Sequence, residues 1–309
     1  MRQVFSTFSS WFKSNDPISL DRVVIPAGEQ PAWLRNRQRL QQRPPLSQLG
    51  PYRIDSTLGS GGMSTVYRAF DRKHQRSVAL KVVHQQSDNA QRFQRELEIS
   101  QQVRHPNLVE VYFGGVIQGQ LCLVMEWVDG LSLEDILLGG PLPLEDFPLL
   151  ACQLASGLQS AHNLKIIHRD IKPANVMVAR DGTLKLLDFG LALAEGHERL
   201  TVTGYAMGTP THMAPEGLTR GVSDTHTDQY ALGVVFYQIL TGRCPFEGEP
   251  LEVARAHIEQ RVPGLCELRD GIPSEWQDVV LRMLSKNPHD RFPDLIEIRR
   301  FLTSALVAF

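Results

Sequence analysis

Alternating apolar and polar positions begin at Tyr52. Tyr52–Leu58, Val66–Asp71 and Ser77–Val83 are short runs rich in β-branched and aromatic residues, separated by turn residues, and they read as strands. The period then changes. About Asp88–Val103 predicts a helix, with Phe93, Leu97 and Val103 among its apolar positions and Asp88 as its N-cap. Two more strands are predicted at Leu108–Gly114 and Leu121–Val128. The order β-β-β-α-β-β describes a small antiparallel sheet with one helix.

Beyond Asp129-Gly130 the pattern turns helical. Leu144–His162 carries Phe147, Leu150, Leu154, Leu158 and Ala161 at spacings of three and four, the stripe of an amphipathic helix. Asp181-Gly182 between Val176–Ala179 and Leu184–Leu187 predicts a hairpin. Asp228–Leu240 is apolar on most faces, as expected of a helix inside a large core. Further helices fill 251–305. The first fifty residues differ: Pro17, Pro26, Pro31, Pro44 and Pro45 break any long helix, so about 14–50 reads as an extended or disordered linker. Before it, Val4, Phe5, Phe8, Trp11 and Phe12 fall at helical spacing. A short amphipathic helix there would either pack on the body of the chain or, through residues 1–13, dock on a membrane surface or a partner.

Composition narrows the classes. The chain has 309 residues, 42% hydrophobic and 21% charged, which suits a soluble two-lobed domain with an extension. A net charge of −2 gives no basic excess for binding nucleic acid. Cys122, Cys152, Cys244 and Cys266 are widely spaced and show no zinc-ligand pattern, so reduced thiols in a cytoplasmic protein are expected. No apolar run approaches the roughly 20 residues of a membrane span, and the N-terminus has no contiguous apolar core of a secretion signal.

Two segments carry chemistry. Leu58-Gly59-Ser60-Gly61-Gly62-Met63-Ser64-Thr65-Val66 lies between two predicted strands, where glycines let backbone N–H groups approach phosphate oxygens. A dinucleotide-binding loop would open a helix instead. Lys81 follows in Val78-Ala79-Leu80-Lys81, an apolar strand in which its charge needs a partner. The second segment, His168 to Gly190, sets Asp170, Lys172, Asn175 and Asp188 on or beside one hairpin. Those are a candidate base, a phosphate-facing cation and two oxygen ligands for a metal, the set that phosphoryl transfer needs.

Together these segments resemble the protein kinases, most closely the bacterial Hanks-type serine/threonine kinases, from about Tyr52 to Ala305. The resemblance implies an α+β bilobal fold: a small antiparallel β-sheet N-lobe with one main helix (51–125), a hinge (126–130) and a mostly α-helical C-lobe (131–305), behind an extension at 1–50. It implies ATP and Mg²⁺, or Mn²⁺ in its place. Asp170 would orient the acceptor hydroxyl, Lys172 would face the γ-phosphate, and Asn175 and Asp188 would hold the metal. Lys81 would contact the α- and β-phosphates and pair with Glu96, or with Glu98 on the same helix. Leu58 to Val66 would cover the phosphates, with Ser64 standing where the family has its third glycine. Val66, Ala79 and Met177 would sandwich the adenine, Met125 would guard the back of the pocket, and the backbones of Glu126 and Val128 would meet the adenine edge.

The same resemblance makes Asp188 to Glu216 an activation segment, with Thr201 and Thr203 as phosphorylation candidates that Arg169 would pair with. Thr209 would contact the catalytic aspartate and the substrate. Glu216 is expected to pair with Arg291, and Asp228 to brace the catalytic loop. Lys172 and Thr209 favour serine and threonine over tyrosine as acceptors. Ala174 and Ser132, at positions where basophilic kinases carry acids, predict no strong preference for arginine upstream of the target. The expected partners are protein substrates, the chain itself, and no nucleic acid. A pseudokinase scaffold and a small-molecule phosphotransferase of similar fold are the alternatives. Intact Lys81, Asp170, Asn175 and Asp188 oppose the first, and a full activation segment opposes the second.

Overall fold

The sheet opens earlier than the alternation predicts. In the computed structural model, which describes residues 46–61, 64–84, 101, 103–187 and 210–308, β1 (Gln48–Leu49) pairs antiparallel with β2 (Tyr52–Ser60). The linker expected over 14–50 therefore stops short of Leu49. That side chain is 2% exposed, and Leu46 packs on the same apolar cluster. Gly50, at φ +54°, makes the tight turn that returns the chain into β2.

The remaining strands of this sheet are β3 (Ser64–Asp71), β4 (Arg76–Val83), β5 (Val111–Ile117) and β6 (Gln120–Glu126), and the order across it is β1-β2-β3-β4-β6-β5. The Gln118-Gly119 turn between β5 and β6 has positive φ at both residues, which fits the twist of a two-residue hairpin. Period-two alternation gives the sheet two distinct faces. Val78, Leu80 and Val82 of β4, with Cys122 and Val124 of β6, enter the N-lobe core. Ala79 and Val83, with Leu123 and Met125, fall on the opposite face. Lys81 lies between Ala79 and Val83 in this alternation.

A second sheet comprises β7 (Gly130–Ser132), β8 (Val176–Ala179) and β9 (Leu184–Leu186), with β8 in the middle. The hairpin predicted at Asp181-Gly182 forms. Gly130 sits so close to β8 that a Cβ there would fall on the Val178 carbonyl and lie 2.9 Å from the Ala179 Cα.

Two expected strands end differently. The strand expected over Leu108–Gly114 starts only at Val111. Upstream of it, Leu186 N–H donates to the Asn107 carbonyl at 2.9 Å and Val109 N–H donates to the Leu186 carbonyl at 3.0 Å. The Asn107 amide adds a bond to the Leu184 carbonyl at 3.0 Å. Residues 107–109 are thus claimed by the C-lobe before β5 begins. The strand expected over Leu121–Val128 ends at Glu126, where the chain leaves the sheet. The helix expected over 88–103 lies outside the described residues except at its end, where Gln101 is in a turn and Val103 is outside any helix.

The described helices of the C-lobe are α1 (Leu133–Leu137), α2 (Phe147–Asn163), α3 (Pro215–Arg220), α4 (Thr225–Thr241), α5 (Pro250–Glu259), α6 (Ser274–Met283) and α7 (Leu295–Ala308). The helix predicted from Leu144 begins as a 3-10 turn at Leu144–Asp146 and becomes α-helical at Phe147. As the pattern predicts, α4 is buried almost all round. The Asp224 carboxylate accepts from the amides of His226 and Thr227, and Gly242 at φ +79° ends the helix. Phe147 stacks edge-on against Phe236 at 5.5 Å and tilts onto Trp276 at 5.0 Å, joining α2, α4 and α6. Emptying such a position would cost roughly 3–5 kcal/mol.

Candidate active site

The site lies where the cleft face of the first sheet meets the second sheet. A thin apolar cluster fills this boundary. Val109, Leu123, Met125 and Val128 are its buried members, and Ala79, Met177 and Leu187 pack against it. Four of the residues expected around an adenine ring (Ala79, Met125, Val128 and Met177) therefore share one cluster. Val66 is outside it and reaches the region by its register with Lys81. Glu126 N–H donates to the Glu110 carbonyl at 2.9 Å, and its carboxylate accepts from Lys185 Nζ at 2.8 Å. The Glu126 side chain is thus committed to a partner in the C-lobe.

The glycine segment is a hairpin paired as far as Ser60 and Thr65. Gly61 N–H donates to the Ser64 carbonyl at 2.9 Å, closing its neck. The Ser60 and Thr65 hydroxyls are 3.1 Å apart, and Thr65 Oγ1 lies 2.9 Å from His84 Nε2. Neither Gly59 nor Gly61 has positive φ, and a Cβ on Gly59 would meet nothing within 4 Å. The fold itself does not demand glycine at these positions, so the space they leave suits close approach by a bound group. Ser64 is in strand conformation without positive φ, which explains why serine serves where a third glycine was expected. Gly62 and Met63 lie outside the described residues. Lys81 is 6% exposed, in the second half of β4.

The loop from His168 to Asn175 draws three polar groups together. Lys172 Nζ is 2.8 Å from Asp170 Oδ2. Asn175 Nδ2 donates to the same Oδ2 at 2.8 Å and to the Asp170 carbonyl at 2.7 Å. Burial pushes the Asp170 carboxyl up. The Lys172 hydrogen bond and charge, with the Asn175 amide, outweigh that and hold it below the usual carboxylate range. Because Asn175 uses its amide nitrogen as the donor, its Oδ1 faces elsewhere. A hard oxygen donor of that kind fits Mg²⁺.

The loop is held from beneath. The Asp228 carboxylate accepts from His168 N–H at 2.8 Å and Arg169 N–H at 2.9 Å, and His162 Nε2 lies 2.8 Å from its Oδ2. Arg169 sits at φ +71°, a strained conformation for a residue with a side chain, and this carboxylate fixes it. His168, expected only to pack, is fully buried and also shares a 2.6 Å hydrogen bond with the Leu187 carbonyl. It thereby ties the loop to the residue before Asp188. Glu216 and Arg291 pair as expected.

Glu96, Glu98, Asp188, Thr201, Thr203 and Thr209 lie outside the described residues, as do residues 1–45. Sequence reasoning missed two participants. His162 is one; its only signal was a histidine near the end of a helix. His212 is the other; it lies within electrostatic reach of both Asp170 and Lys172. Among the described residues there is no cluster of three or more His, Cys, Asp or Glu able to hold a metal, and no helix long and apolar enough to cross a membrane.

An antiparallel sheet meeting a helical lobe, with an aspartate carboxyl held below the usual range on the loop beside their boundary, defines a protein kinase domain. Residues 52–299 match the protein kinase domain family, and the chain belongs to it; its domain is of the bacterial serine/threonine type. Members of this family use ATP and a divalent metal. The serine/threonine-protein kinase PknE of Mycobacterium bovis is 38% identical over 251 residues, covering 80% of this chain and 44% of PknE. PrkC of Bacillus subtilis is 34% identical over 249 residues, covering 79% of this chain and 38% of PrkC. The chain thus spans less than half the length of these two relatives. The crystal structure of the Mycobacterium tuberculosis PknI kinase domain superposes with a TM-score of 0.66 at 28% identity, covering 83% of this chain and 97% of that one.

Proposed function

We propose that the chain is an active serine/threonine protein kinase that transfers the γ-phosphoryl group of ATP to hydroxyls of proteins, its own activation segment included. The observation that carries this reading is the Asp170 carboxylate, held ionised by Lys172 and Asn175 and seated on a loop braced by Asp228. In the reaction the acceptor oxygen bonds to the γ-phosphorus, the bond from that phosphorus to the β–γ bridging oxygen breaks, and ADP leaves. The hydroxyl proton passes toward Asp170. Lys172 offsets charge on the moving group, and Lys81, paired with Glu96, orients the α- and β-phosphates.

Asn175 and Asp188 would hold Mg²⁺, which when bound supplies positive charge against the phosphate oxygens. The backbone from Gly59 to Ser64 covers the phosphates, and Ala79, Met125, Val128 and Met177 receive the adenine. Phosphate on Thr201 or Thr203 would pair with Arg169, and Thr209 would meet the acceptor beside Asp170. The reading implies a cytoplasmic enzyme, where ATP is available, acting on sites without a strong upstream arginine requirement.

The test is transfer of γ-phosphate from ATP to a generic protein and to the chain itself, with Asp170→Asn as control. Incorporation by the wild type and its loss in the variant is the expected result; equal incorporation by both sinks the reading.

A further inference from the structure

Arg68 and Trp127 meet beside the cleft face of the first sheet, and none of the roles above includes either. The Arg68 guanidinium lies over the Trp127 ring, 5.1 Å from its centroid. That is within the roughly 6 Å over which a cation is drawn to the face of an indole, the strongest of the aromatic partners. The register explains the meeting. Arg68 of β3 stands opposite Ala79 of β4, and Ala79 stands opposite Met125 of β6. Residues paired in this way share one face of a sheet. Arg68 therefore shares a face with two members of the apolar boundary cluster, and Trp127 follows Met125 by two residues. Ala79 is small, which leaves the long arginine room to reach across β4.

Trp127 sits within the segment that leaves β6, and the C-lobe holds that segment on both sides of it. Before it, the Glu126 carboxylate accepts from Lys185 Nζ at 2.8 Å. After it, Arg180 N–H donates to the Asp129 carbonyl at 3.1 Å, and Arg180 Nε lies 3.0 Å from the Asp129 carboxylate. Arg68 comes from the other lobe. Its contact sets how far residues 126–129 stand from the Ala79 side of the boundary. Val128, buried in the same cluster, is carried by that segment. A flat ring entering between Ala79 and Met177, with its edge toward Val128, meets a gap whose width this contact fixes.

We propose that Arg68 is a positioning residue for the nucleotide: through the Trp127 ring it holds residues 126–129 at the distance from Ala79 that an adenine ring fills. This rests on the kinase reading above. Methionine keeps most of the arginine stem without its charge, whereas lysine keeps a cation. The full chain should therefore show, for Arg68→Met, a KM for ATP raised about threefold, the worth of one exposed cation–π contact. The KM for the protein substrate and kcat should be unchanged. Arg68→Lys should stay near wild type. Trp127→Leu should reproduce Arg68→Met, and the double variant should be no worse than Trp127→Leu alone.

Two readouts do not depend on phosphate transfer. Calorimetric titration with ATP and Mg²⁺ should show the same weakening in Arg68→Met. Amide hydrogen exchange over residues 126–129 should quicken in Arg68→Met and Trp127→Leu but not in Arg68→Lys. If the wild type binds ATP but transfers no phosphate, the kinase reading fails and these two readouts still decide this one. A wild type that binds no ATP overturns both. Unchanged exchange or unchanged ATP affinity in Arg68→Met overturns the positioning role. So does a rise in the protein KM equal to that for ATP.

Discussion

Glu216 and Arg291 are joined by two parallel hydrogen bonds of 2.6 and 2.8 Å, and neither side chain is more than 2% exposed. The guanidinium also donates to the His226 carbonyl at 2.8 Å and, through Nε, to the Ser285 carbonyl at 2.9 Å. One arginine thus ties the start of α3 to the start of α4 and to the loop after α6. Glu216→Ala leaves a buried cation with carbonyls but no counter-charge. The expected loss is about 3–5 kcal/mol in urea unfolding. A loss below about 1 kcal/mol would show that the pair is no anchor.

Asp228 acts on the His168–Asn175 loop through backbone amides. Without its carboxylate the amides of His168 and Arg169 lose their acceptor, beside the strained φ of Arg169. Displacing a catalytic group by about 1 Å can cost on the order of 10²-fold in rate. Asp228→Ala is expected to lower kcat by about that factor while leaving the KM for ATP close to wild type, since the nucleotide cleft is built from other elements. Steady-state kinetics at varied ATP checks this. An equal rise in the ATP KM would mean that the lesion spreads through the whole C-lobe.

Local patterns made most of the fold legible, and its corrections are all non-local. Tyr52–Leu58 and Ser77–Val83 declare themselves by alternation, and Asp228–Leu240 by its all-round apolarity. Leu108 does not, because an apolar residue next to a strand looks like part of it. Only pairing with Leu186, far along the chain, takes it out of β5. Gln48–Leu49 was hidden by the prolines before it, yet it forms a strand because Leu46 and Leu49 find the N-lobe core. At the site, Asp170, Lys172 and Asn175 are close in sequence and were readable as a group. His212 was not: its partner Gln238 lies two elements away, and a lone histidine between Asp188 and Glu216 carries no pattern of its own.

Two neutral histidines predict a sensitivity to acid. His257 is fully buried on α5, and its Nδ1 lies 2.9 Å from the Tyr230 hydroxyl. Burial pushes its pKa down to about 3, with Lys286 and His212 adding to the drop. The Thr211 backbone is near enough to oppose this slightly, although Nε2 makes no hydrogen bond of regular geometry among the described residues. Both folded values, about 3 for His257 and about 4 for His212, lie below the 6.5 of a free imidazole. Between those limits the unfolded chain binds more protons than the folded one, so stability falls as pH drops from 6.5. Each histidine contributes a slope approaching about 1.4 kcal/mol per pH unit. Urea midpoints taken from pH 7 to 5 should decline more steeply in the wild type than in His212→Gln. Parallel declines would assign the acid sensitivity to other groups.

Lys172 sets the ionisation of Asp170, and its removal has a predictable sign. Burial raises the pKa of that carboxyl; the lysine hydrogen bond and charge, followed by the Asn175 amide and the His168 charge, outweigh it and lower it. The depressed folded value means that ionised Asp170 adds stability above pH 3.8, lost as pH falls through the lower folded value. Lys172→Met leaves burial in place and removes the larger opposing influence, so the Asp170 pKa rises. The acid limb of the kcat/KM profile should therefore move to higher pH, while Lys172→Arg should keep it near the wild-type position. Loss of the cation beside the moving phosphoryl group should also lower kcat on the order of 10²-fold at neutral pH. The two effects separate cleanly, because the first alters the shape of the profile and the second its height. A Lys172→Met profile lowered in height but unmoved along the pH axis would show that Asn175 and the loop alone keep Asp170 ionised.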